Sequence, residues 1–153
     1  MHRLVGGRTL RLGCVTVPAD FGPLGHSDGD AAAHAVCDAL LGAAALGDMG
    51  RWFPSSDERW RDANSESFLV ETAALLAREG WEVSNLDVTI VLENPRLGVH
   101  LPKMRESIAA ALGCRVEQVS VKAKSADGLG PIGAGEAVEA RAVALIESTP
   151  PGN

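Results

Sequence analysis

Apolar positions along the chain fall into two periods. Leu10 to Val17 alternates enough to predict a strand, ended by Pro18 and a Gly/Pro loop through Gly25. From about Asp30 to Leu46 every face but one is nearly all Ala and Leu, which predicts a largely buried helix stopped by Gly47. A second helix is predicted from near Ser65 to Glu79, closed by Gly80. Val83 to Leu92 carries the β-branched run of a strand, broken at Glu93–Gly98. A third helix runs from near Pro102 to Gly113, with proline in its first turn and glycine at its end. Val116 to Lys124 and Ala137 to Ile146 read as the last two strands. The order strand, helix, helix, strand, helix, strand, strand predicts a mixed α/β domain with helices on one side of a sheet.

Two segments stand outside this pattern. Asp48 to Asp62 reads as a long loop, in which Trp52, Phe53 and Trp60 serve as anchors or as ligand walls. Between the last strands, Ser125 to Glu136 holds four glycines, enough for a phosphate-cradling loop and equally for a glycine-rich hairpin without a ligand.

The polar face of the first helix is the candidate site. His26-Ser27-Asp28-Gly29-Asp30 precedes it, and Asp30, His34 and Asp38 recur at i, i+4 and so share one face. That spacing suits a metal or phosphate site, and the helix N-terminus favours an anion. Capping by Asp28 or Asp30 and a packed histidine would account for the same residues.

Length and composition narrow the classes. At 153 residues, 46% hydrophobic and 22% charged, the chain reads as one globular domain over residues 1–153, with 148–153 as a frayed tail. A net charge of −6 without a basic stripe argues against a nucleic-acid partner. With no membrane-length apolar run and no signal-peptide pattern, the expectation is a cytoplasmic protein. Cys14, Cys37 and Cys114 are odd in number and scattered, which fits reduced thiols among core residues rather than a disulfide framework.

Assembled in order, the motifs resemble one family. H-S-D-G-D-x-x-x-H-A-x-x-D-A-L-L-G-A-A-A-L-G-D-x-G spans His26 to Gly50, followed by Phe53-Pro54, then Asp87-Val88-Thr89-Ile90, then V-K-A-K-x-x-x-G-L-G from Val121. The pattern is similar to the 2-C-methyl-D-erythritol 2,4-cyclodiphosphate synthases of the non-mevalonate isoprenoid route, and it runs from His2 to about Ile146. The resemblance implies a ferredoxin-like β/α sandwich with a mixed sheet, assembled as a homotrimer with sites at subunit interfaces. It also implies a lyase that closes a cyclic diphosphate and expels CMP from a cytidine-diphosphate substrate. The nucleophile is already an anionic phosphate, so catalysis reduces to positioning and charge stabilisation.

Residue by residue, the resemblance makes His2 and His34 ligands of a zinc-type ion. His26 and Ser27 would bind the phosphate and diol portion, and His26 with Ser125 would act on the transferring phosphate. Asp127, where the family usually has Glu, would reach a second cation, Mg²⁺ or Mn²⁺. Asp48, Met49, Gly50, Phe53, Pro54, Ser55, Ser56 and Asp57 would contact the methylerythritol moiety. Leu92, Glu93, Asn94, Pro95, Arg96, Leu97, Gly98 and Lys124 would form the cytidine side from a neighbouring subunit, with Ala126, Pro131 and Ala134 in the phosphate region. By its place one turn beyond His34, Asp38 would orient that imidazole, or be solvated, or cap a helix elsewhere.

Several positions depart from the family pattern. Its third zinc ligand is an Asp two residues before the first His, and the chain reads Met1-His2. Either the start is misassigned or truncated, or the site is zinc-deficient and the chain a non-catalytic homologue that binds the same ligands. Ser55 stands where Asp is common, Pro131 where an aromatic is common, and Ala134 where Arg is frequent. The last change removes a charge from the phosphate region.

Overall fold

The computed structural model describes residues 1–25, 27–60 and 63–149. Its strands are β1 (His2–Gly6), β2 (Leu10–Leu12), β3 (Val15–Val17), β4 (Phe21–Pro23), β5 (Trp81–Val91), β6 (Val119–Lys124) and β7 (Ala137–Ser148). Its helices are α1 (Ala31–Ala43), α2 (Met49–Trp52), α3 (Ser65–Arg78), α4 (Leu101–Leu112) and α5 (Gly130–Gly133). Five strands form one sheet in the order β4-β1-β7-β5-β6, and β2 and β3 pair as a hairpin. Only the β5–β6 pair is parallel; the other neighbours run antiparallel.

The long β5–β7 ladder is the spine, with a register shift between Val83 and Asn85. One sheet face carries Val83, Leu86, Val88 and Ile90, which are buried with Leu40, Leu69, Leu76 and Ile108 of the helices in one core. Ala140, Ala142 and Ala144 of β7 pack on that core opposite α1, whose Ala32, Ala33, Val36 and Cys37 are fully buried. Small side chains on both partners let the helix approach the sheet closely. The other sheet face is left open, and Val143 and Leu145 project from it.

Four expectations need correction. The strand predicted over Leu10–Val17 is a hairpin, because Gly13 and Cys14 both take positive φ (57° and 65°) and reverse the chain in two residues. The loop predicted from Asp48 to Asp62 contains α2 and a 3₁₀ turn at Glu58–Trp60, and its last two residues lie outside the described ones. Val116–Gln118 is a 3₁₀ turn, so that strand starts at Val119. Ser148 belongs to β7, and the Thr149 N–H bonds to the Gly80 carbonyl, so the ordered chain outruns the expected tail start. Strands β1 and β4 were not anticipated from the pattern.

Candidate active site

Strand β1 lies between β4 and β7, which sets His2 beside the turn that follows β4. Helix α1 leaves that turn, and its fourth residue is His34. His2 Nε2 and His34 Nδ1 stand 3.1 Å apart, and Ser27 Oγ lies 3.4 Å from His34 Nε2. His26 lies outside the described residues. Burial, and then the neighbouring His34, hold the His2 imidazole down at about 4. Burial lowers His34 as well, against the pull of Asp30 and Asp28. Both rings are therefore neutral at pH 7, the form that binds metal.

The shared face expected for Asp30, His34 and Asp38 does not hold as a ligand set. Asp30 is the N-cap of α1 and fully buried. Its Oδ1 accepts N–H bonds from Gly13, Ala32 and Ala33, and its Oδ2 accepts from Cys14. The first amides of α1, a ready anion site, are thus occupied by the chain's own carboxylate. Asp28 accepts from Ser65 N and pairs with Arg11 at 3.2 Å. Asp38 is exposed and accepts the Met49 N–H at 2.9 Å, so among its expected roles the cap is the one made.

Around the two histidines opens a cavity of about 400 Å³. It gathers His2, Ser27, His34, Met49, Gly50, Phe53 and Ser55 of the predicted site, with Asp38 and Trp60. Phe68 of α3 also lines it and had no sequence signal beyond its place in a core-facing helical stripe. Phe53, Trp60 and Phe68 lie with ring centroids 5.0 to 5.3 Å apart, and Phe68 meets His34 edge-on at 5.9 Å. Trp52 sits outside this group, its indole N–H donating to the Leu46 carbonyl. Asp48 caps α2 through Arg51 N, Asp57 pairs with Arg59, and Pro54 and Ser56 are not among the lining residues.

A second group forms at the far ends of β5 and β6. Because these strands are parallel, the loops that follow them leave from the same edge. Ser125 Oγ donates to Asp127 Oδ1 at 2.8 Å, and the Ala126 N–H donates to Glu93 at 3.1 Å. Leu92 and Leu97 are buried, so what they offer a ligand is backbone. Asn94, Arg96, Gly98, Lys124, Pro131 and Ala134 are exposed and Pro95 is partly so. One glycine has a packing reason here, since a Cβ on Gly133 would stand 2.1 Å from the Gly128 carbonyl carbon, whereas Gly128, Gly130 and Gly135 take positive φ. This group does not line the histidine cavity of the same chain.

Two nitrogens bound to one tetrahedral zinc at about 2.0–2.1 Å would stand roughly 3.3 Å apart, so the His2–His34 spacing fits two ligands of such an ion. Among the described residues no third imidazole, carboxylate or thiol completes a group of three. The sequence profile of the YgbB family matches residues 1–147. The chain belongs to the YgbB family. It is 52% identical over 147 residues to the 2-C-methyl-D-erythritol 2,4-cyclodiphosphate synthase of Syntrophomonas wolfei, covering 96% of this chain and 94% of that one. To the synthase of Verminephrobacter eiseniae it is 53% identical over 152 residues, 98% of this chain and 83% of that one. Among solved structures it is similar to a CDP-bound form of 2C-methyl-D-erythritol-2,4-cyclodiphosphate synthase, with a TM-score of 0.87 and 39% identity over 95% of each chain. The resemblance to the 2-C-methyl-D-erythritol 2,4-cyclodiphosphate synthases, read from the motifs between His26 and Gly130, and the expected mixed sheet with helices on one face are thereby established.

Proposed function

We propose that the chain converts 4-diphosphocytidyl-2-C-methyl-D-erythritol 2-phosphate to 2-C-methyl-D-erythritol 2,4-cyclodiphosphate, releasing CMP. The observation that carries this reading is identity of about half the residues, across nearly the full chain, to relatives that bear the synthase name. The same relatives favour turnover over the non-catalytic alternative. In the reaction an oxygen of the 2-phosphate forms a bond to the β-phosphorus, and the bond from that phosphorus to the bridging oxygen breaks. The electron pair leaves with CMP.

The chain's own groups suit that step. Neutral His2 and His34 hold a zinc-type ion, and Ser27 beside them orients the phosphate. The Phe53, Trp60 and Phe68 rings line the cavity and leave an apolar wall for the methyl and carbon backbone. Ser125 and Asp127 serve the diphosphate, Asp127 as the carboxylate for a Mg²⁺ or Mn²⁺ ion. When bound, the cations neutralise charge developing on the phosphate oxygens. Leu92–Gly98 with Lys124 take the cytidine.

These two groups are brought together by assembly. We infer a homotrimer in which the histidine cavity of one subunit faces the β5–β6 loops of the next. Supporting this are the separation of the two groups on one chain and an open sheet face bearing Val143 and Leu145, 72% and 62% exposed. No helix among the described residues is long and apolar enough to cross a membrane. From the proposed substrate, a water-soluble phosphate ester, we infer a cytoplasmic location.

The test is incubation with the cytidylylated substrate, Mg²⁺ and Zn²⁺, followed by chromatography. Equimolar CMP and cyclic diphosphate are expected. Substrate recovered unchanged, or CMP released with a linear phosphate, would overturn the reading.

A further inference from the structure

Glu93 follows β5, in the segment assigned above to the cytidine side, yet its carboxylate is turned along its own chain. We infer that Glu93 is a positioning residue that fixes the spacing between the nucleotide loop and the phosphate loop. The inference rests on the function proposed above for these loops.

The parallel β5–β6 ladder runs to the pair Val91 and Lys124, and one more backbone bond, from Leu92 N to the Lys124 carbonyl at 3.0 Å, extends it. Past that point the loops diverge, and a side chain makes the next crossing. Glu93 Oε2 accepts the Ala126 N–H at 3.1 Å. Ala126 is the residue on which the phosphate loop turns. Its carbonyl accepts the Leu129 N–H, Asp127 after it takes φ +51°, and Ser125 before it donates its hydroxyl to Asp127.

One amide bond to a half-buried carboxylate therefore fixes the pivot between Ser125 and Asp127. It also commits the Ala126 amide to Glu93, which leaves the Ser125 and Asp127 side chains as the groups this turn presents. An in-line phosphoryl transfer needs the base-bearing half of the substrate and its β-phosphorus held in register, and a misplacement of about 1 Å costs on the order of 10²-fold in rate. Glu93, the second residue of the cytidine segment, is thereby tied to Ala126, the middle residue of the Ser125–Asp127 turn. A shift in one is passed to the other.

The test compares Glu93→Ala, Glu93→Asp and Glu93→Gln with the parent protein. Hydrogen exchange at the Ala126 amide, read by NMR without ligand, reports the clamp independently of turnover. Steady-state CMP release reports kcat and KM. Glu93→Gln keeps a carbonyl oxygen for the Ala126 N–H and loses only charge. Glu93→Asp withdraws the acceptor by one methylene and serves if the alanine variant does not fold.

For Glu93→Ala or Glu93→Asp, at least tenfold faster Ala126 exchange is expected, with kcat down by about 10²-fold and KM within roughly threefold. Glu93→Gln should restore both readouts to within roughly threefold. Unchanged Ala126 exchange in the alanine and aspartate variants would overturn the clamp. Faster exchange with parental kcat would reduce it to local packing. A glutamine variant as slow as alanine but with parental exchange would make Glu93 a direct contact of substrate or cation. If the parent protein itself releases no CMP, the function proposed above fails, and the exchange measurement alone still decides whether Glu93 holds the loop.

Discussion

His2 and His34 are 32 positions apart in sequence, and their ring nitrogens meet at 3.1 Å. The contact joins the sheet to α1, and Phe68 of α3 meets His34 edge-on. Replacing His34 by Ala should abolish zinc binding and CMP release. The fold should survive, because the ring contributes an edge-on aromatic contact worth about 0.5–1.5 kcal/mol rather than a piece of the Ala/Leu core. Metal analysis and thermal denaturation of the variant check both halves. Loss of cooperative unfolding, or retained turnover, would argue for a structural histidine.

The same pair makes stability depend on pH. Both imidazoles are lowered in the fold, His2 to about 4, from an ordinary value of 6.5. The unfolded chain therefore binds more protons through this window. The stability due to the neutral rings is present above pH 6.5 and is lost as pH falls toward about 4. The melting temperature of the metal-free protein should drop across that interval, and a His2→Gln, His34→Gln double variant should drop less. Equal slopes for the two proteins would remove the histidines from the account.

What was readable in the sequence follows from how far each signal reaches. Helices α1, α3 and α4 declare themselves by apolar period and by terminal glycine or proline, and all three fall within a few residues of expectation. The β2–β3 hairpin was hidden because Gly13-Cys14 lacks the Asn-Gly or Asp-Gly signature. Cys14 tolerates positive φ there because its amide is held by Asp30, 16 residues on. Strand β1 buries only Leu4, too little for a period. Asp30 reads from spacing as either a ligand or the cap of α1; it is the cap, and what the sequence does not carry is that the distant Gly13 and Cys14 amides bond to it as well. Phe68 reads as core and also forms a wall of the cavity.

Asp30 is the costliest of these polar residues to change. Its two oxygens accept four N–H bonds, from the β2–β3 turn and the first turn of α1, with Ser65 Oγ 3.2 Å away. Removing the carboxylate strands buried amides at about 1–3 kcal/mol each. Asp30→Ala should therefore lower stability by more than about 3 kcal/mol by denaturant titration. Asp30→Asn should recover only part, because an amide NH₂ would face either the Cys14 N–H or the three donors at the other oxygen. Asp38→Asn is the contrast: that residue is exposed and caps one amide, and the side-chain oxygen of Asn accepts the same N–H, so its cost should stay well under about 1 kcal/mol. Similar losses for Asp30→Asn and Asp38→Asn would mean the buried network matters less than its bond count suggests.

In the proposed trimer, the open sheet face is what would bring the histidine cavity of one subunit to the β5–β6 loops of the next. On β7, Arg141, Val143, Leu145 and Glu147 are exposed, while Ala140, Ala142, Ala144 and Ile146 pack on the core. An outward pair of large apolar side chains on a central strand gains nothing in a monomer, whereas packing around a three-fold axis buries it three times over. Val143→Glu with Leu145→Glu puts six carboxylates on that axis in a trimer and touches none of the core-facing positions. The double variant should be monomeric by light scattering, should keep its helical and sheet signature, and should lose CMP release although both groups of site residues remain intact. A variant that scatters as a monomer yet turns over at the parental rate would show that one chain completes the site alone. Parental protein that is itself monomeric at micromolar concentration would remove the trimer from the proposed function.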